Sequence, residues 1–145
     1  MRFSRSLEQA FCILVILAEG GSIITNSELN HILKVSPTYL KKITRKLVVK
    51  KLIKSTYGVN GGFVLAQPAE MITIGNVVEA IDGNTHFFYQ SGLLKRVAAR
   101  HGRIKNNLSI INDTFCKAEA DWRKRLHSVT LAHMVSDLRK RRQEC

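Results

Sequence analysis

Ser36-Pro37 opens a helix whose position and faces leave few folds available. A serine can cap a helix by accepting a backbone N–H, and proline suits the first helical position, where its missing N–H would have no partner anyway. Val35 before the cap and Leu40 at the fourth helical position match a hydrophobic staple. The helix is predicted to run from Pro37 to about Lys51. At about 100° per residue, Leu40, Ile43 and Leu47 form one apolar stripe. Thr38, Lys41, Lys42, Arg45 and Val49 fall roughly opposite, flanked by Tyr39 and Lys46. Between Lys34 and Lys54 the chain carries eight basic residues and no acidic one, so the basic residues concentrate on the outward face.

The neighbouring segments turn this helix into a motif. Ser4 or Ser6 can cap a first helix with Leu7, Phe11, Leu14 and Leu17 or Ala18 on one face, stopped by Gly20-Gly21. Asn26 or Ser27 can cap a short second helix with Leu29, Ile32 and Leu33 inward, joined to the basic helix through Lys34-Val35. Two strand-like runs follow, Leu52–Thr56 and Phe63–Ala66, around Gly58-Val59-Asn60-Gly61-Gly62, a hairpin signal. A helix-turn-helix followed at once by a β-hairpin is a winged helix. Thr73 can cap a fourth helix from Ile74 to about Ile81, closed by Asp82-Gly83-Asn84.

Beyond that point the pattern changes. A helical piece is expected around Leu93–Ala99. Asn107 can cap a helix about twenty residues long, a rod of roughly 30 Å. Its apolar residues Leu108, Ile111, Phe115, Ala118 and Trp122 step by three and four, and Leu126 and Val129 continue the stripe with a slip. Such a stripe can pack on its own domain or pair with another chain. Thr130 can cap a last short helix with Leu131, Met134, Val135 and Leu138. The expected organisation is residues 1–84, 85–106 as a connecting segment, and 107–145. The fold class is mainly α with a small β-hairpin wing.

Composition narrows the function. The formal net charge of +12 favours an anionic partner such as nucleic acid. Phe11–Ala18 is too short to span a membrane, and Glu19-Gly20-Gly21 is a poor signal-peptide cleavage site, so this run reads as a core helix and no membrane partner is expected. Three scattered cysteines, Cys12, Cys116 and Cys145, make no disulfide framework, and the chain is expected to be cytoplasmic. No nucleophile–base pair, phosphate-cradling motif or metal-ligand spacing appears, so neither an enzyme, a metal site nor a bound cofactor is expected.

Three stretches resemble one family: Val35-Ser36-Pro37-Thr38-Tyr39-Leu40, the wing from Thr56 to Ala66, and Ile72-Thr73-Ile74 through Val78-Glu79-Ala80-Ile81-Asp82-Gly83. They look like the Rrf-two family of bacterial transcription regulators, the IscR-, NsrR- and CymR-like proteins. Met1-Arg2-Phe3-Ser4 and Ser128-Val129-Thr130-Leu131-Ala132 fit as well. The resemblance implies a homodimeric regulator that binds double-stranded DNA, expected to be a repressor; the segment Thr85–Lys105 could take a small-molecule effector, contact a partner protein, or be inert. The long helix, through Leu108, Ile111, Phe115, Ala118, Trp122, Leu126 and Val129, would build the dimer. The third helix would enter the major groove.

On this reading Ser36 and the N–H groups behind it hold a phosphate, because a helix N-terminus suits an anion. Thr38, Lys41, Lys42 and Arg45 face base edges and nearby phosphates, and Tyr39, beside a core leucine, either joins them at the DNA or packs half-buried. Lys46 and Lys50 add phosphate contacts, and the wing residues Tyr57, Val59, Asn60 and Gly61 lie along the adjacent groove. A winged-helix protein-interaction module and a general basic nucleic-acid-binding protein are the alternatives.

Departures from the family pattern carry information. Many members bind an iron–sulfur cluster through three cysteines after the fourth helix, because thiolates suit such clusters. No cysteine lies between Asp82 and Asn107 here, so an iron–sulfur sensor is not expected. His86 and His101 in that segment read as polar surface, and Cys116 as an ordinary thiol. Tyr57 stands where members often have arginine, and Lys41 where some have an acid. Lys34 occupies a turn that is often glycine.

Overall fold

The structure, a computed structural model, describes residues 4–83, 86, 88, 91–100 and 105–144. Its elements are α1 (Arg5–Gly20), α2 (Asn26–Leu33), α3 (Pro37–Val49), β1 (Ile53–Thr56), β2 (Gly62–Leu65), a 3-10 turn (Ala69–Met71), α4 (Ile74–Ile81), α5 (Leu93–Arg100), α6 (Lys105–His127) and α7 (Leu131–Glu144). Packing divides the chain into one unit of Met1–Gly83 with Leu126–Cys145 and another of Asn84–Arg125.

The first unit is a winged helix. Ile13 and Leu14 of α1, Leu29 of α2, Ile43 and Leu47 of α3, and Ile53 of β1 share its core with Ile72, Val77 and Leu131, all essentially without solvent contact. Burying each such side chain contributes about 1.5–3 kcal/mol. Strands β1 and β2 pair antiparallel with Ile53 opposite Leu65 and Thr56 opposite Gly62. Ile24 adds an isolated antiparallel bridge to Phe63 of β2. Gly62 is needed at that crossing, because a Cβ there would strike the backbone of Ile24 and Thr25.

Helix α2 starts earlier than the Asn26 or Ser27 cap expected from sequence. Thr25 is the cap. Its hydroxyl accepts from the Glu28 N–H, and the Glu28 carboxylate accepts from the Thr25 N–H at 2.7 Å, a reciprocal capping box. Leu29 of α2 is buried, whereas Ile32, expected inward, is 55% exposed. A helix of eight residues can bury only a narrow stripe.

The last helix is longer than expected and packs on α1 in the first unit. Leu131 and Val135 are buried there, and the Leu131 N–H donates to the Ile72 carbonyl at 2.7 Å. The packing thus groups α7 with the winged helix, which differs from the 107–145 segment expected from sequence. Val129 lies beyond the end of α6, and its carbonyl accepts from Ile74 N–H at 2.9 Å.

The second unit carries α5 and most of α6. Helix α6 begins at Lys105, ahead of the Asn107 cap expected. Phe88 stacks on Phe115 with ring centroids 5.0 Å apart. His86 Nδ1 lies 3.2 Å from one carboxylate oxygen of Glu119, and Arg123 holds the same oxygen at 2.8 Å. Ile110, Ile111 and Phe115 are exposed along α6. His101, Cys145 and the side chain of Leu108 lie outside the described residues.

Candidate nucleic-acid interface

The start of α3 forms as its sequence dictates. Ser36 Oγ accepts from the Tyr39 N–H at 3.3 Å, with Pro37 at the first helical position. Lys34, which closes α2, adopts φ 51° and ψ 42°, a left-handed conformation. That turn aims α3 across α1, and α3 buries Leu40, Ile43, Thr44 and Leu47. Thr44 is satisfied within the helix by donating to the Leu40 and Lys41 carbonyls.

The opposite face of α3 is open. Thr38, Lys41, Lys42, Arg45, Lys46, Val49 and Lys50 line one shallow groove of about 500 Å³, and all but the half-buried Lys46 are exposed. Ala80 of α4 lies along its edge. Val49 is 69% exposed among the cations. An apolar side chain within a cationic face can meet a thymine methyl, while lysine and arginine can meet guanine or phosphate.

Two residues expected at this surface have other engagements. The Tyr39 hydroxyl lies 2.6 Å from Ser6 Oγ, and its ring is half-buried toward α1. The Lys46 ammonium donates to the carbonyl of Ile81, the last residue of α4. Both flank the outward face in the helical projection, and each finds a neighbouring helix within reach. Sequence periodicity gives the angle of a side chain but not which neighbour stands beside it.

The wing tip is free of the body. Tyr57 is 96% exposed and Val59 fully exposed, with Asn60 beside them. The turn is held by Gly61 N–H donating to the Gly58 carbonyl and Gly62 N–H donating to Thr56 Oγ1, both at 3.0 Å. Gly58 at φ 113° occupies backbone space that side chains rarely enter.

Of the stripe expected to dimerise, Ile111, Phe115 and Ala118 are exposed on α6 and Trp122 is half-buried. Leu126 instead lines a cavity of about 480 Å³ with Leu7 and Phe11 of α1 and Ile74 and Val78 of α4. The slip in apolar spacing falls where the chain passes back into the first unit.

A helix-turn-helix with an exposed cationic recognition face and a hairpin wing defines a winged-helix transcription regulator. The family comparison makes the assignment specific. The model of the Rrf2 family, described as an iron-dependent transcriptional regulator, matches residues 3–137, and the chain belongs to that family. A relative in Lactococcus lactis, the HTH-type transcriptional regulator YffB, is 34% identical over 140 residues, covering 94% of this chain and 88% of its own. The HTH-type regulator YwgB of Bacillus subtilis is 28% identical, covering 93% and 85%. Among solved structures, CymR of B. subtilis, described as the global cysteine regulator, aligns with TM-score 0.67 at 20% identity over 94% of this chain and 97% of its own. IscR of T. potens aligns with TM-score 0.68 at 20% identity, covering 95% and 88%. These two share the fold.

The described residues do not fit an iron or iron–sulfur group. Cys12 is on α1 and Cys116 on α6, both exposed, and the segment after α4 holds no cysteine before α6. Partial desolvation of the sulfur, with Glu8 nearby, pushes the Cys12 thiol up, away from the thiolate a metal needs. Among the described residues no three His, Cys, Asp or Glu side chains converge on one point. His86 and Glu119 do meet, but the Arg123 guanidinium on Glu119 opposes a cation there. Among the same residues no helix is long and apolar enough to cross a membrane.

Proposed function

We propose that this regulator is a cytoplasmic homodimer that represses transcription by binding a specific duplex operator, and that it does no chemistry of its own. The single observation that carries the reading is the acid-free outer face of α3, where Thr38, Lys41, Lys42, Arg45 and Lys50 stand around one open groove. Thr38, Lys41, Lys42 and Arg45 reach base edges and phosphates in the major groove. Ser36 and the first N–H groups of α3 hold a phosphate. Tyr57, Val59, Asn60 and Gly61 lie against the adjacent groove. With tyrosine where relatives often carry arginine, the wing reads shape through contact and not through a charge. Tyr39 and Lys46, at the flanks of this surface, fix α3 to α1 and α4.

The exposed apolar residues Ile110, Ile111 and Phe115 of α6 support self-association, since burying them removes a row of apolar surface from water. Two copies would present two α3 helices to successive turns of the duplex. The test is selection of bound duplexes from a random pool, followed by competition against scrambled duplex and single-stranded RNA. A shared motif with two-fold symmetry is the expected result. Equal binding to every duplex, or preference for the RNA, would overturn the reading.

A further inference from the structure

The run Arg139-Lys140-Arg141-Arg142 closes a helix that the sequence pattern alone sets apart from the winged helix. The structure mounts it on that domain. Arg139 Nε and Arg142 Nη1 both approach one carboxylate oxygen of Glu19, at 3.9 and 3.5 Å. Glu19 is in the last turn of α1. The chain leaving that turn passes Gly20-Gly21 to Ile24, which bridges Phe63 of β2 in the wing, and to Thr25, which caps α2. The first helix of a helix-turn-helix crosses the DNA backbone. The basic end of α7 is therefore tied to the end of α1, from which the connecting loop runs past β2 of the wing into the start of that backbone-facing helix.

The charge there is not consumed internally. Two guanidinium groups share the single Glu19 carboxylate, and Arg141 pairs with Asp137 one turn earlier at 2.9 Å. Arg139, Arg141 and Arg142 keep 61, 75 and 71% of their side-chain surface exposed. Exposed pairs of this kind contribute only about 0–1 kcal/mol, so the side chains can turn to a phosphate at little cost. One cation in the last turn suffices to offset the helix dipole, and this helix end has several.

We infer that the basic C-terminal part of α7, Arg139–Arg142, is an accessory phosphate-binding surface, contacting duplex backbone beyond the wing and outside the bases that α3 reads. This rests on the proposed duplex-DNA function. It assigns a use to part of the positive charge that lies outside residues 1–84, and it makes α7 a contributor to affinity without sequence information.

The test compares the full chain with the combined variant Arg139→Ala, Lys140→Ala, Arg142→Ala on a duplex selected by the unmodified protein. Binding is measured across salt concentration, and hydroxyl-radical footprints are taken of both complexes. The variant is expected to keep the base preference and to leave the flanking phosphates unprotected. Its log–log salt slope should be flatter by about 0.9 for each phosphate no longer neutralised. A second variant, Lys140→Glu with Arg141→Glu, leaves both Glu19 pairs in place and is expected to change slope and footprint in the same direction. Thermal melting checks that each variant is folded. Unchanged slope and footprint in the second variant would overturn the inference while leaving duplex recognition intact. Failure of the unmodified chain to select any duplex would instead remove the function on which the inference stands.

Discussion

The Lys46 ammonium donates to the main-chain carbonyl of Ile81, joining the last half of α3 to the C-terminal end of α4. Lysine is well placed there, because the unpaired carbonyls at a helix end carry partial negative charge. The bond fixes how far the recognition helix stands out from the body. Lys46→Ala is therefore expected to destabilise the fold by about 1 kcal/mol, as for a charge-assisted bond in a partly open site. The slope of DNA affinity against salt should stay unchanged, whereas Lys42→Ala should flatten it. Melting curves and salt titrations of the two variants check this.

Lys34 in the left-handed region marks a second tension. Glycine adopts that conformation without a Cβ penalty, at some entropic cost in the unfolded chain. Lys34→Gly is expected to raise stability by up to about 1 kcal/mol, read by denaturant midpoint at constant m-value.

The capping box at α2 gives a pH dependence. Hydrogen bonds from the Thr25 N–H and hydroxyl hold the Glu28 carboxyl below the usual carboxylate range. A depressed folded-state value means that the stabilisation is present above the unfolded carboxylate value and is lost as pH falls through the folded one. Glu28→Gln should therefore be less stable than the parent at neutral pH, with the gap closing below the ordinary carboxylate range. Unfolding curves taken from neutral to acid pH measure the gap.

Where local chemistry alone decides structure, the sequence is legible. Ser36-Pro37 starts α3, Thr73 caps α4, and Leu40, Ile43 and Leu47 are core. The cationic face of α3 is legible for the same reason, since residues opposite a core stripe face solvent. What stays hidden depends on partners that the local pattern does not name. Thr25 reads as loop until its pairing with Glu28 makes it a cap. Lys46 reads as surface until α4 supplies Ile81, and Tyr39 reads equally as contact or packing until α1 supplies Ser6. The placement of α7 on α1 follows from burial of Leu131 and Val135, which a short apolar pattern cannot assign to one neighbour over another.

The exposed residues of α6 predict how the chain associates. Ile111→Asp places a charge within the apolar row and is expected to shift the chain from dimer to monomer, measured by sedimentation equilibrium. Because a monomer presents one α3, operator affinity should fall together with dimerisation. An unmodified chain that sediments as a monomer at micromolar concentration would rule out α6 pairing.

Duplex discrimination by the outer face of α3 is tested most directly by one competition titration. The unmodified chain and Lys41→Ala are each titrated against a selected duplex and a set carrying single base-pair changes. The expected result is a clear preference by the unmodified chain. In Lys41→Ala that preference should relax at one position per half-site, at a cost of about 1–3 kcal/mol, while other positions keep theirs. A uniform loss across all duplexes would reduce Lys41 to a phosphate contact. Equal affinity of the unmodified chain for every duplex would be incompatible with sequence-specific recognition by this helix.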